Sequence, residues 1–233
     1  MKYVNRTIDN PDRPRPDPKD RRRLLRAVLA LPLAGALVGA LASCDTIVPG
    51  RGPLPDLYRL TPKSTFAPDL PTVDWQLLLE PALTNASIDT TRIGLQRSAT
   101  SVEYYARATW SDRAPQMIQT LMIESFENSE RIVAVGRDSI ALRADYILKT
   151  DLREFQAEYM EGPKPHIHVT LIARLVKMPR RAIVGTKKFE TVIEAQADTM
   201  EAIIGAFDIA LGKVLKRLVE WTLITGQETW KRQ

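Results

Sequence analysis

Two hydrophobic spacings alternate along this chain, and each implies a different kind of surface to bury. In residues 113–128 the apolar set Met117, Ile118, Leu121, Met122 and Phe126, with Ser125 among them, recurs at three and four residues, placing one apolar stripe along a helix. Ser111 or Asp112 is positioned to accept the first free backbone donors, and Pro115 is tolerated in the first turn. The period returns near the C-terminus, where Met200, Ile203, Ile204, Phe207, Leu211, Val214, Leu215, Leu218 and Trp221 predict a long amphipathic helix ending at about Leu223. Asp198-Thr199-Met200-Glu201 resembles a capping box in front of it.

Between the helices the period is two. Ile167, Val169, Leu171, Ala173 and Leu175 share one face of a long strand, and Phe189, Thr191 and Ile193 share one face of a returning strand over residues 183–193. Residues 145–150 lead into residues 151–155 in the same extended style, with Gly162-Pro163-Lys164-Pro165 and Met178-Pro179-Arg180-Arg181 as the turns. Shorter strand candidates lie at residues 56–60, 73–79, 91–95 and 101–108. A sheet with one apolar face and two amphipathic helices predicts an α/β fold: a two-layer sandwich, with a mostly antiparallel sheet packed against the two helices.

The N-terminal region follows neither pattern. Residues 1–20, with the run Asn10-Pro11-Asp12-Arg13-Pro14-Arg15-Pro16-Asp17-Pro18, have no apolar face and are expected to be disordered. A basic cluster, Arg21-Arg22-Arg23, then precedes sixteen apolar residues, 27–42, interrupted by Pro32, Gly35 and Gly39. That stretch falls short of the roughly 20 residues of a comfortable membrane span. Its layout is that of a bacterial export signal.

The signal closes on Leu41-Ala42-Ser43-Cys44, which resembles the lipobox of bacterial lipoproteins at all four positions. The resemblance implies diacylglyceryl transfer to the Cys44 thiol and cleavage before it, leaving Cys44 as the first mature residue. Two or three acyl chains, at about 0.8 kcal/mol per buried CH₂, make a durable anchor where one is marginal. The alternative is a buried or incidental cysteine. Cys44 is the only cysteine, so no intramolecular disulfide forms. Asp20-Arg21-Arg22-Arg23-Leu24-Leu25-Arg26 resembles a twin-arginine signal, although an ordinary basic leader has the same string. Asp45 resembles an inner-membrane retention signal of enterobacteria, which leaves inner and outer membrane both open. The expected division is a signal peptide at 1–43, a lipidated tether at 44–55, the α/β domain at 56–223 and a tail at 224–233.

Charge follows the same boundary. The chain carries 33 basic and 28 acidic side chains, a net of +5. Nine basic and four acidic groups fall in residues 1–43, so the mature part holds 24 of each. The overall basicity therefore leaves with the leader and does not argue for nucleic acid as a partner.

Candidate chemistry is sparse. His166 and His168, the two histidines, lie on one side of a strand, but no third zinc ligand is singled out. Glu154, Glu158 and Glu161 offer carboxylates without a defined opposed pair. Gly136 and Gly185 are isolated and form no phosphate cradle. No catalytic residue, metal site or cofactor is predicted. Tyr104, Tyr105 and Trp110 are candidate interface anchors, with burial in the core as the alternative.

One family resemblance joins these pieces. Leu57-Tyr58-Arg59-Leu60, Tyr104-Tyr105-Ala106-Arg107-Ala108-Thr109-Trp110, Ala144-Asp145-Tyr146-Ile147-Leu148 and Leu152-Arg153-Glu154-Phe155 occur in that order, followed by Gly185-Thr186-Lys187-Lys188-Phe189, Ala206-Phe207-Asp208-Ile209-Ala210-Leu211 and Val219-Glu220-Trp221-Thr222. Behind a lipobox, this series resembles the ABC-type transport auxiliary lipoprotein component family, which includes PqiC-like proteins associated with MCE-domain lipid transport. The resemblance implies a lipid-anchored, periplasm-facing accessory subunit in the bacterial envelope. Its implied partners are an MCE-domain protein, an ABC permease and its ATPase, and phospholipid. An envelope assembly lipoprotein unrelated to transport is the alternative function, and a metal-dependent or carboxylate hydrolase using His166, His168 or Glu154 is a third.

Overall fold

The computed structural model describes residues 54–137, 143–160 and 162–232. Cys44, Asp45 and Glu161 lie outside the described residues, as does the lipobox. The elements are β1 (Asp56–Tyr58), β2 (Val73–Leu79), β3 (Arg92–Gln96), β4 (Glu103–Trp110), α1 (Ala114–Asn128), β5 (Ile132–Arg137), β6 (Tyr146–Glu158), β7 (His166–Lys177), β8 (Ala182–Glu194) and α2 (Met200–Trp230).

The meander from β6 through β7 to β8 is antiparallel, as the alternation predicts. Tyr146, Leu148 and Leu152 of β6 point into the core, a register shift follows between Leu152 and Glu154, and Phe155 and Ala157 resume the buried side. A bulge here keeps the apolar residues on one face although their spacing in sequence changes parity.

The other edge of β6 overturns the expectation of a mostly antiparallel sheet. Its beginning pairs parallel with β2, from Leu77↔Tyr146 to Leu79↔Leu148, and its end pairs parallel with β3, from Gly94↔Gln156 to Gln96↔Glu158. An isolated bridge, Leu83↔Asp151, lies between them. β5 joins β2 parallel, β1 joins β4 parallel, and β3 and β4 are antiparallel. The fold is therefore α/β with a mixed sheet and two helices. Parallel neighbours cannot be joined by a tight hairpin, and α1 lies in the long connection between the parallel pair β2 and β5. β5 carries no sequence prediction, because Ile132-Val133-Ala134-Val135-Gly136 is a short run without clean alternation.

Helix α2 packs across β7 and β8. Its 31 residues rise about 46 Å, close to the roughly 43 Å of the 13-residue strand β6. This match explains why α2 continues past Leu223 to Trp230. One end is set by Phe207, Trp110 and Phe155, whose ring centroids lie 5.1–5.4 Å apart. At the other end the Tyr146 hydroxyl donates to the Gly226 carbonyl at 3.0 Å, and Lys177 Nζ donates to the Thr229 carbonyl at 2.7 Å.

Both predicted caps shift. Thr199, rather than Asp198, is the N-cap of α2, and its side chain accepts from the Ala202 N–H. The Asp198 carboxylate instead accepts from the Tyr159 hydroxyl at 2.6 Å. Helix α1 begins after Arg113 without a side-chain cap, and the Ala114 N–H donates to the Thr90 carbonyl at 3.1 Å. A backbone partner from the β3 approach thus replaces the expected Ser111 or Asp112.

Glycine matters most at two close approaches. A Cβ on Gly226 would overlap the Trp75 indole, which is fully buried, and one on Gly185 would press on Trp221 and Thr225 where α2 crosses β8. Gly226→Ala is expected to lower the stability by about 1–3 kcal/mol through overpacking, whereas Gly205→Ala, with nothing within 4 Å of its Cβ, should hold or raise it. Urea midpoints of the two variants test the difference.

Candidate functional site

The solvent side of the meander concentrates the charged groups. β6, β7 and β8 place Gln156, His168 and Val192 in one cross-strand row, with Glu154, Thr170 and Glu190 in the next. His168 Nδ1 lies 2.9 Å from Glu158 Oε1, and Nε2 lies 2.9 Å from Glu190 Oε1. The Gln156 amide donates to Glu154 at 2.7 Å and to Glu158 at 3.0 Å, linking the carboxylates on the same strand. Lys188 Nζ holds the other Glu190 oxygen at 2.7 Å.

A ring held by a carboxylate on each nitrogen is suited to be an imidazolium. Burial opposes the charge on His168, but hydrogen bonds to Glu190 and Glu158 and the field of Glu154 overcome it, so its pKa is raised. Glu190 is lowered to about 2, chiefly by its bond to Lys188 and then by His168. The arrangement clamps three strands together. It leaves neither imidazole nitrogen free to serve as a base in this geometry.

His166 lies on the same face, opposite Glu158 and Glu194 in register. No group of three or more His, Cys, Asp or Glu side chains among the described residues has the arrangement to hold a metal ion. Arg174 Nη1 reaches Asp151 at 2.9 Å and Lys149 reaches Glu80 at 2.7 Å, so the charged face continues along β6 and β7.

The three aromatic candidates separate. Trp110 is 1% exposed and packs between Phe155 and Phe207, so it has no surface to offer a partner. Tyr104 is half-buried, with the Arg92 guanidinium 3.7 Å from its ring centroid and its hydroxyl donating to the Ser87 carbonyl at 3.0 Å. Tyr105 begins a polar chain in which its hydroxyl meets that of Tyr159 at 2.9 Å and Tyr159 donates to Asp198. Burial, followed by the bond to Tyr159, raises the Tyr105 pKa far above the usual phenol range. It is a neutral hydrogen-bonding group rather than a phenolate.

The helix side contains an element that the periodicity did not indicate. Between β1 and β2 the chain runs as an extended strap beside α1 and α2, held by side chains of both. The Asp208 carboxylate accepts from the Thr61 N–H at 2.7 Å and the Thr61 hydroxyl at 2.9 Å, and Glu220 accepts from the Ala67 N–H at 3.0 Å. From α1, Ser125 accepts from the Lys63 N–H at 2.9 Å and Asn128 donates to the Lys63 carbonyl at 3.2 Å. Six extended residues from Thr61 to Ala67 advance roughly 20 Å, and twelve helical residues from Asp208 to Glu220 rise about 18 Å. The strap therefore follows α2 lengthwise. Its one visible sequence signal was Ser125, a hydroxyl within the apolar stripe of α1.

Comparison with known proteins gives a consistent set of likenesses. The family model for the ABC-type transport auxiliary lipoprotein component matches residues 58–219. The uncharacterized protein bll6063 of Bradyrhizobium diazoefficiens is 28% identical over 191 residues, covering 82% of this chain and 51% of that protein, so the chain spans about half the length of that relative. Among solved structures, protein XCC0632 from Xanthomonas campestris is 31% identical, with a TM-score of 0.72 over 76% of this chain and 99% of that chain. An uncharacterized protein at 12% identity shares the fold, with a TM-score of 0.57 over 71% of this chain and 97% of its own.

Two outcomes follow from the geometry. The His168 pKa is raised in the folded state, so its stabilisation is fully present below the unfolded value of 6.5 and is lost as pH rises through the folded value. The stability gap between wild type and His168→Gln, read from urea midpoints, should therefore be widest in mildly acidic buffer and narrow as pH increases beyond 6.5. Asp208→Ala should cost about 1–2 kcal/mol and increase proteolysis between β1 and β2, whereas Asp208→Asn should retain part of the strap contact.

Proposed function

The chain belongs to the ABC-type transport auxiliary lipoprotein component family, and from that premise we propose that it is a non-catalytic docking subunit, anchored by acyl chains on Cys44 and facing the periplasm. The transporter it serves moves phospholipids or other hydrophobic molecules. It docks an MCE-domain protein or the permease and ATPase assembly.

The observation that carries this reading is the strap. The segment leaving the tether enters β1 and is then bonded to both helices through Asp208, Glu220, Ser125 and Asn128. Tension on the N-terminal anchor would pass into the layer that forms the core, rather than unravel a free edge. A docking subunit needs such a connection, because its position relative to the membrane is its function. The meander adds support: its charged face is cross-linked by His168 and presents a pre-shaped polar surface to a partner. Among the described residues no helix is long and apolar enough to cross a membrane.

Affinity purification of the tagged protein from gently solubilised membranes, with Cys44→Ala alongside, tests the proposal. Mass spectrometry should recover an MCE protein, a permease and an ATPase with the acylated form, and recovery should fall for Cys44→Ala. Intact lipoprotein that reproducibly brings down other envelope machinery and none of these components would instead identify an assembly factor unrelated to transport.

A further inference from the structure

The strap has grooves of contrasting charge on its two sides. Toward α1 the groove is about 420 Å³ and includes Arg59, Asp112 and Glu124. Toward α2 it is about 380 Å³, and its charged lining is Lys63, Lys213, Lys216 and Asp208. Asp208 is turned into the strap, with oxygens accepting from the Thr61 N–H and hydroxyl. Lys216 is 3.9 Å from Glu220, whose same oxygen already accepts from Ala67, while Lys63 and Lys213 make no ion pair among the described residues. Three ammonium groups thus face an open groove whose one carboxylate is already engaged.

The apolar part of the groove narrows the choice of occupant. Ile209 lies on the solvent face of α2 and is 49% exposed, and Gly212, one turn on, leaves the wall open. An exposed isoleucine flanked by lysines on flexible stems is the composition of a surface that rests at a lipid interface: the ammonium groups reach phosphates while the apolar stem and side chain meet the acyl boundary. Chain length makes that interface accessible. Five residues from Asp56 to Thr61 span at most about 18 Å, and twelve from Cys44 to Asp56 at most about 43 Å. A membrane holding Cys44 is therefore within reach of the groove, and attraction falls off only over about a Debye length from the surface.

We propose that the Lys63–Lys213–Lys216 groove docks on anionic lipid headgroups of the membrane that holds the anchor. The supply of membrane rests on the Cys44 reading above, whereas the charge of the groove does not. Docking in this way lays the outer face of α2 on the bilayer. It turns the charged face of β6, β7 and β8, on the opposite side of the sheet from α2, away from the membrane and toward partners. The acyl chains then set the distance and the lysines set the orientation.

Vesicle flotation of residues 52–233 tests the groove apart from the anchor, since this unit is compact by itself and contains the buried core of the described residues, from Leu60 to Leu223. The protein should float with phosphatidylcholine–phosphatidylglycerol vesicles, not with phosphatidylcholine alone, and salt should release it. Lys63→Glu/Lys213→Glu/Lys216→Glu should reduce partitioning roughly 100-fold or more, from about 1 kcal/mol per basic residue. Arg107→Glu/Arg180→Glu/Lys187→Glu, an equal charge change at exposed positions elsewhere, should leave most of it. If the triple groove variant melts early, Lys213→Gln, at an exposed position, should still weaken partitioning about fivefold. Equal flotation of wild type and groove variants, or none on anionic vesicles, overturns the proposal. So does inorganic phosphate binding without vesicle binding, which would assign the groove to a soluble anion. A wild-type unit that fails to float, with co-purification of the transporter components intact, would reject the membrane contact while leaving the docking function in place.

Discussion

Burial of the inner face of β6, β7 and β8 against α2 is the contact on which the rest of this structure depends. Leu148, Ile167, Val169, Leu171 and Leu175 from the strands, together with Phe207, Leu211, Val214, Leu215 and Leu218 from the helix, are at most 1% exposed. Each such side chain contributes on the order of 1.5–3 kcal/mol when removed from water. Neither surface is viable alone: the strands would present a broad apolar sheet, and the helix a continuous apolar stripe. The near-equal lengths of α2 and β6 let one helix serve the full hairpin, with the Phe207 cluster at one end and the Tyr146–Gly226 contact at the other.

The branching of the sheet follows from that long hairpin. One edge of β6 is taken by β7 along its length, and the other is wide enough to receive two unrelated partners, β2 at its beginning and β3 at its end. Leu83 crosses the gap, its N–H donating to the Thr150 carbonyl and its carbonyl accepting from the Leu152 N–H, each at 2.8 Å. β6 therefore joins the β2–β5 part of the sheet to the part formed by β3, β4 and β1. The bulge before Glu154 keeps Phe155 inward and allows Glu154, Gln156 and Glu158 to share the solvent face with His168.

Function in this reading comes from the division of surfaces rather than from a reactive centre. The sheet exterior is charged and internally paired, which favours a specific and pre-shaped contact. The helix exterior carries lysines with few partners beside an exposed isoleucine, which favours a fluid, anionic surface. The strap lies between the helices and continues from the segment that leads back to Cys44. In this proposal the anchor and the orienting groove lie along one short path, and the docking face lies on the opposite side of the sheet.

The sequence by itself determined the elements whose side chains repeat with a local period: α1, most of α2, and the alternating strands of the meander. It also determined the lipobox resemblance, which is a contiguous string, and with it the family likeness. The tertiary structure decided everything that depends on residues distant in sequence. It made the sheet mixed, because strand direction is set by which neighbours share an edge and not by the alternation within a strand. It recruited β5, whose short run acquires meaning only beside β2. It moved Asp198 from a helix cap to Tyr159, buried Trp110, and paired His168 with carboxylates from two other strands. The strap shows the limit most clearly: Thr61 and Asp208 are 147 residues apart, so no local period relates them, and only the packing of the helices brings the carboxylate to the waiting backbone donor.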